Sequence, residues 1–159
     1  MRSIQKIFFI LLLCSGCDLS AQEVFTFQKA SAKGLHYQQL DSIYGHAAGL
    51  DTAALRRHVE ENENHHALTL KKLGHFLKKQ NYQCEPPLRL YTKIYWNEGG
   101  KLVYFLYHFL TAQGTLKRNF DQRHQRQFED LVRIFSAGYD ADGGFNRKIA
   151  SAMTAVYDE

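Results

Sequence analysis

The sequence predicts an α+β domain: a small antiparallel sheet covered by amphipathic helices. Three observations carry that expectation. Residues 88–110 form two apolar, aromatic runs around a glycine turn. Residues 64–80 and 120–137 place large apolar side chains at helical spacing. A last segment, 148–157, ends in the strand-forming run Thr154-Ala155-Val156-Tyr157.

The hairpin is the clearest element. In Leu88-Arg89-Leu90-Tyr91-Thr92-Lys93-Ile94-Tyr95-Trp96 the residues alternate, with Leu88, Leu90, Thr92, Ile94 and Trp96 on one face and Arg89, Tyr91, Lys93 and Tyr95 on the other. Asn97-Glu98-Gly99-Gly100 makes the turn, because glycine adopts φ > 0 without steric cost. The return run from Lys101 to Leu110 is apolar or aromatic on both faces, so both faces are expected to be covered. A two-stranded hairpin alone is marginal. The 148–157 segment is therefore read as a third strand, although Ile149, Met153 and Val156 also fit a helix.

Helices are expected on either side. Tyr37, Leu40, Ile43, Tyr44 and Ala47 share a face of a first helix, stopped by Gly49. Asp51 or Thr52 caps a second, starting at Ala53. In its later part Ala67, Leu70, Leu73, Phe76 and Leu77 form a stripe, while lysines gather toward its C-terminal end and suit the helix dipole. Pro86-Pro87 ends anything helical before Leu88. Phe120, His124, Phe128, Leu131, Val132 and Phe135 mark the late helix, ended by Gly138. Leu73, Phe76 and Leu77 are expected to pack with Phe128, Leu131 and Phe135 on a sheet face offered by Ile94, Trp96, Leu102, Tyr104 and Leu106.

Residues 1–21 read as a signal peptide. Arg2 and Lys6 precede the apolar run 7–13. Seven helical residues rise about 10 Å, far short of the ~30 Å hydrocarbon core. Two processing routes stay open: cleavage after Ala21, or a lipoprotein box, Leu13-Cys14-Ser15-Gly16-Cys17, with lipid on Cys17. Residues 22–36 show no clear period and are expected to be an irregular lead-in, and 37–159 a single α+β domain. The chain carries a formal +4 charge. Loss of Arg2, Lys6 and Asp18 lowers that by one, too mild a balance to argue for a polyanion. Cleavage after Ala21 leaves Cys84 as the sole cysteine, read as a small buried hydrophobe.

No motif assigns catalysis. There is no nucleophile elbow, Walker loop or dinucleotide fingerprint, and no two Cys-x-x-Cys motifs that could pair. His58, His65, His66 and Glu63 include one Glu-x-x-His spacing, but helical di-iron sites need a second. A solvated polar face is expected there. The run Asp140-Ala141-Asp142-Gly143-Gly144-Phe145-Asn146 resembles a calcium loop but has Ser151 where the bidentate Glu belongs, so a turn is expected. Lys117, Arg118, Arg123, Arg126 and Arg133 give the late helix a basic side, read as solvation or, functionally, a contact for anionic lipid. Tyr91, Tyr95, Tyr104 and Tyr107 cluster on the hairpin, as sheet packing or as a stacking surface. No catalytic, cofactor-binding or metal-binding residue is assigned.

The order hairpin, helix, last strand from Leu88 to Tyr157 resembles the C-terminal domain of TonB-type energy transducers. The stretch from Thr92 to Tyr107 resembles that family's hairpin, and Phe128-Glu129-Asp130-Leu131-Val132-Arg133-Ile134-Phe135 its helix. A Pro-rich linker and a Tyr-Pro before the hairpin are missing. The resemblance implies a fold and a protein-binding role, not energy transduction. The whole chain is also similar to small exported proteins of Gram-negative bacteria. The expectation is an exported, non-catalytic interaction module of the periplasm, outer membrane or medium. Its partner would be another envelope protein, with no nucleic acid and no cofactor. The alternative is a ligand-binding or enzymatic domain using the aromatic hairpin face.

Overall fold

The computed structural model describes residues 22–45, 51–83, 87–117, 119–141, 144–145 and 148–157. The fold is α+β. In chain order the elements are β1 (Glu23–Thr26), α1 (Phe27–Ala32), α2 (Tyr37–Tyr44), α3 (Thr52–Lys79), β2 (Leu88–Trp96), β3 (Leu102–Leu110), α4 (Gln122–Gly138) and β4 (Ile149–Tyr157).

The sheet has the order β1-β3-β2-β4. β2 pairs antiparallel with β3 and with β4, the latter in unbroken register from Leu88↔Tyr157 to Trp96↔Ile149. The 148–157 segment is thus a strand. β1 adds in parallel to β3, from Glu23↔Tyr104 to Thr26↔Tyr107. The sheet is therefore four-stranded and mixed, not purely antiparallel, and the expected irregular lead-in is a strand and a helix. Four residues are too few to show a period. β1 forms because Val24 and Phe25 bury on opposite sheet faces beside a partner about 80 positions away in sequence. Thr26 then turns the chain into α1, its side chain accepting from the Lys29 N–H.

One face of the sheet holds the main core. Leu70, Leu73 and Leu77 of α3 and Phe128, Val132 and Phe135 of α4 pack there with Leu90, Ile94, Trp96 and Phe105. Phe76 and Leu131 pack against this core while staying partly exposed. The other face carries a smaller core of Phe25, Ala30, Leu40, Tyr44, Tyr95 and Leu106 under α1 and α2.

The expected sheet surface is corrected at Tyr104 and Leu106. A bulge falls between Tyr95 and Trp96, where Tyr95 opposes Tyr104 and Trp96 opposes Leu102. One extra residue reverses the alternation. Leu102 stays on the α3/α4 face, but Tyr104 and Leu106 pass to the α1/α2 face, and Phe105, Tyr107 and Phe109 take their place. Ala67, expected on the α3 stripe, is exposed; His58, Asn62, His66 and Thr69 occupy the inner face instead. α2 ends at Tyr44 with Gly45 as its C-cap, and the Ala47 and Gly49 expectations lie outside the described residues. Asp51 caps α3 through the Ala54 N–H, and Asp121 caps α4 through the N–H groups of Arg123 and His124. Of the two turn glycines, only Gly100 has positive φ, +78°, and a Cβ there would meet the Ala141 carbonyl at 3.0 Å.

Candidate functional site

The histidines of α3 are dispersed. His66 is fully buried against the sheet, with Nε2 2.8 Å from the Thr92 hydroxyl oxygen. Thr92 spends its own proton on the Met153 carbonyl, 3.0 Å away. Nε2 must therefore be the donor, which sets the tautomer. Burial lowers the His66 pKa to about 4, so the ring is neutral at pH 7. His58, one turn from Asn62, meets its amide nitrogen at 3.3 Å. His65 points elsewhere and lies edge-on to Phe145, 4.7 Å between ring centres. Glu63 is exposed. Among the described residues, no three His, Cys, Asp or Glu side chains are placed to hold a metal ion.

The acidic glycine loop packs on the hairpin turn. Asp140 forms a β-bridge with Lys101, and the N–H of Phe145 donates to the Glu98 carbonyl at 2.8 Å. Asp142, Asn146, Arg118 and all three cysteines lie outside the described residues.

The tyrosines divide between the two faces, and the bulge decides that Tyr104 joins Tyr91 and Tyr95. Tyr91, Tyr95 and Tyr104 lie on the α1/α2 side, and that side is filled. Tyr95 is fully buried, donates to Asp41 at 3.0 Å and meets Tyr44 and Tyr104 edge-on. Asp41 also pairs with Lys93. Phe27 covers Tyr91 and stacks on His108 at 4.5 Å.

Tyr107 lies on the opposite face and leads to a residue that sequence reasoning missed. Its hydroxyl donates to Glu129 at 2.7 Å. Glu129 is buried on α4 and also accepts from Lys29, at 2.7 and 3.0 Å, and from Gln125 at 3.0 Å. Burial alone would raise the Glu129 pKa, but the bonds from Lys29, Gln125 and Tyr107 outweigh it and hold the carboxyl below its usual range. Tyr107 is pushed up by burial and by this bond. One signal was available: Glu129 interrupts the α4 stripe between Phe128 and Val132. Lys29 is 100 positions away, so its part in the cluster left no local trace.

The basic side of α4 is not one patch. Arg133 is tied to Asp130 at 2.8 Å, while Arg123 and Arg126 are exposed. Lys117 sits apart, over the Phe120 ring.

Two features remain. One is a cavity of about 300 Å³ where β2 begins and β3 and β4 end, lined by Leu88, Arg89, Phe109, Lys117, Phe120 and Val156 among others. The second is the outer edge of β4. Its nine residues, Ile-Ala-Ser-Ala-Met-Thr-Ala-Val-Tyr, carry no charge and no proline, and among the described residues β4 pairs only with β2. Ala152, Thr154 and Val156 are exposed along it.

No family model, curated protein or solved structure matches the chain. Among the described residues, no helix is long and apolar enough to cross a membrane.

Proposed function

We propose that the protein is a non-catalytic binding module of the bacterial cell envelope, and that it takes a protein partner by strand addition along β4. The observation behind this is the edge itself. Nine uncharged residues are held extended by unbroken pairing with β2 on one side. Their outward N–H and C=O groups form a template for another extended chain. Natural sheets usually blunt such an edge with lysine, proline or a bulge; β4 has neither lysine nor proline, and its register with β2 is unbroken.

Several features support the non-catalytic part. The histidines singled out from the sequence do not converge with Glu63: His66 pairs with Thr92, His58 with Asn62, and Glu63 is exposed. The aromatic hairpin face is occupied by α1 and α2 rather than open to a substrate. The signal-peptide character of residues 1–21 supports placement outside the cytoplasm. The likeness of residues 88–157 to the TonB C-terminal domain supports a protein-binding role.

The test places a photo-crosslinking residue at Thr154 in the native host and identifies what is captured by mass spectrometry. One defined protein is expected, and its capture should be lost when Ala152→Lys charges the edge. Equal capture with and without that charge, or capture only from a probe on the exposed face of α4, would refute strand addition.

A further inference from the structure

The cavity at the end of the sheet combines two kinds of wall. Phe120 stacks on the buried Phe109 at 3.7 Å between ring centres with their planes 8° apart, which fixes the Phe120 ring in the cavity wall. Leu88, Leu110 and Val156 add to it. Against this stand two cations, Arg89 and Lys117, both partly buried. Arg89 is fixed by its strand position, paired with Leu110 on β3 and Val156 on β4. Lys117 is fixed by its backbone, whose N–H donates to the Phe109 carbonyl at 2.8 Å, and its ammonium lies 5.1 Å from the Phe120 ring centre.

Elsewhere in the fold the partly buried Lys93 meets a carboxylate, Asp41, and even the more exposed Lys29 meets Glu129. Among the described residues, neither Arg89 nor Lys117 has such a partner. A cation drawn out of water beside apolar surface costs free energy unless an anion compensates it.

We infer that this cavity binds the carboxylate of a free medium-chain fatty acid, with Arg89 and Lys117 on the headgroup and the Phe109–Phe120 wall along the chain. The charge pattern selects this occupant. An inorganic anion would leave the apolar wall wet, and a neutral lipid would leave both cations unpaired. A cavity of about 300 Å³ is at the small end for ligand sites and holds roughly ten groups of the ~30 Å³ that water occupies. That suits one chain of moderate length and is too small for a two-chain phospholipid. Arg89 supplies a planar fork matched to a carboxylate, and Lys117 a point charge. The inference does not depend on what pairs with β4, since a charged β4 edge leaves the cavity walls in place.

The experiment is calorimetric titration of the mature chain with decanoate below its micellar concentration, and with decyltrimethylammonium as the chain of opposite charge. One decanoate per chain is expected, with no saturable binding of the cationic amphiphile. Arg89→Gln and Lys117→Gln should each weaken decanoate roughly tenfold or more, the size of one lost charge-assisted hydrogen bond, whereas Arg126→Gln should not. Decanoate should also shift the NMR signals of Phe120 and Val156 in the unaltered protein, a readout independent of any variant. Equal binding of the two amphiphiles would overturn the assignment. So would unchanged binding in the Arg89→Gln/Lys117→Gln pair, shifts confined to another surface, or binding to anionic vesicles without binding to decanoate.

Discussion

Tyr157 lies across Gly74. A Cβ on Gly74 would stand 2.8 and 2.9 Å from two ring carbons of Tyr157, and the Tyr157 hydroxyl donates to the Leu70 carbonyl at 3.1 Å. The last residue of β4 is thereby seated on the C-terminal part of α3, joining the final strand to the longest helix. The missing side chain inside a 28-residue helix is a packing requirement, since glycine there is otherwise unfavourable.

Gly74→Ala should destabilise the protein by about 1–3 kcal/mol through overpacking, despite the ~1 kcal/mol that alanine gains over glycine in an unconstrained helix. Urea unfolding measures the balance. In a Tyr157→Leu background the same change should become neutral or stabilising. A stabilising Gly74→Ala in the otherwise unaltered protein would show that β4 does not end on α3.

Removing the Tyr107 hydroxyl leaves one acceptor position of the buried Glu129 unfilled. Tyr107→Phe should cost about 1.5–3 kcal/mol, the range for hydrogen bonds to charged groups. Lys29→Met should cost less, under about 1 kcal/mol, because the Lys29 side chain is half exposed. A double-mutant cycle on the two residues should show coupling through the shared carboxylate.

His66 predicts an acid-side loss of stability. Its folded pKa is about 4, against roughly 6.5 when unfolded. Between those values the unfolded chain takes up a proton that the folded chain refuses. The stability is thus fully present above pH ~6.5, lost as pH falls, and level again below about 4, for a total on the order of 3 kcal/mol. His108, also pushed down by burial, acts in the same direction. Denaturant midpoints measured from pH 7 to pH 4 should therefore slope less steeply in His66→Gln without becoming flat. Glu129 acts lower: its folded pKa is depressed, so its contribution is present above the ordinary carboxylate range and lost as pH falls through the folded value.

Phe128→Ala should be the severe core variant, at about 3–5 kcal/mol. The ring is fully buried and contacts Tyr107, Phe109 and Tyr82. Leu131→Ala should cost less because Leu131 is only partly buried. Arg126→Ala should lie within about 0.5 kcal/mol. Thermal melts of the three variants give the order, and equal small effects would show that α4 is not docked.

Local pattern was enough wherever one element buries one face. The stripe Leu70, Leu73, Leu77 and its counterpart Phe128, Val132, Phe135 could be read directly, because a 3.6-residue period reports which side of a helix avoids water. The strand alternation of Leu88, Leu90, Ile94 and Trp96 was equally legible. The third strand at 149–157 was read from the need of a two-stranded hairpin for a further strand, since its own pattern fits a helix as well.

Other features depended on groups far apart in the chain. β1 exists because β3 offers it an edge, and four residues carry no period of their own. The bulge opposite Tyr95 and Trp96 puts Tyr104 on the α1/α2 face and Tyr107 on the α3/α4 face, the reverse of what unbroken alternation from Leu102 gives. Lys29 meets Glu129 across 100 positions, and Arg89 and Lys117 line one cavity only because the ends of three strands come together. The sequence by itself determined the types of the longer elements and the inward faces of α4 and β2, since these follow from short-range periodicity of apolar burial. Tertiary structure alone decided which charges are paired, which are left facing a cavity, and which strand edge stays open, because those depend on contacts that form only when distant segments close around one sheet.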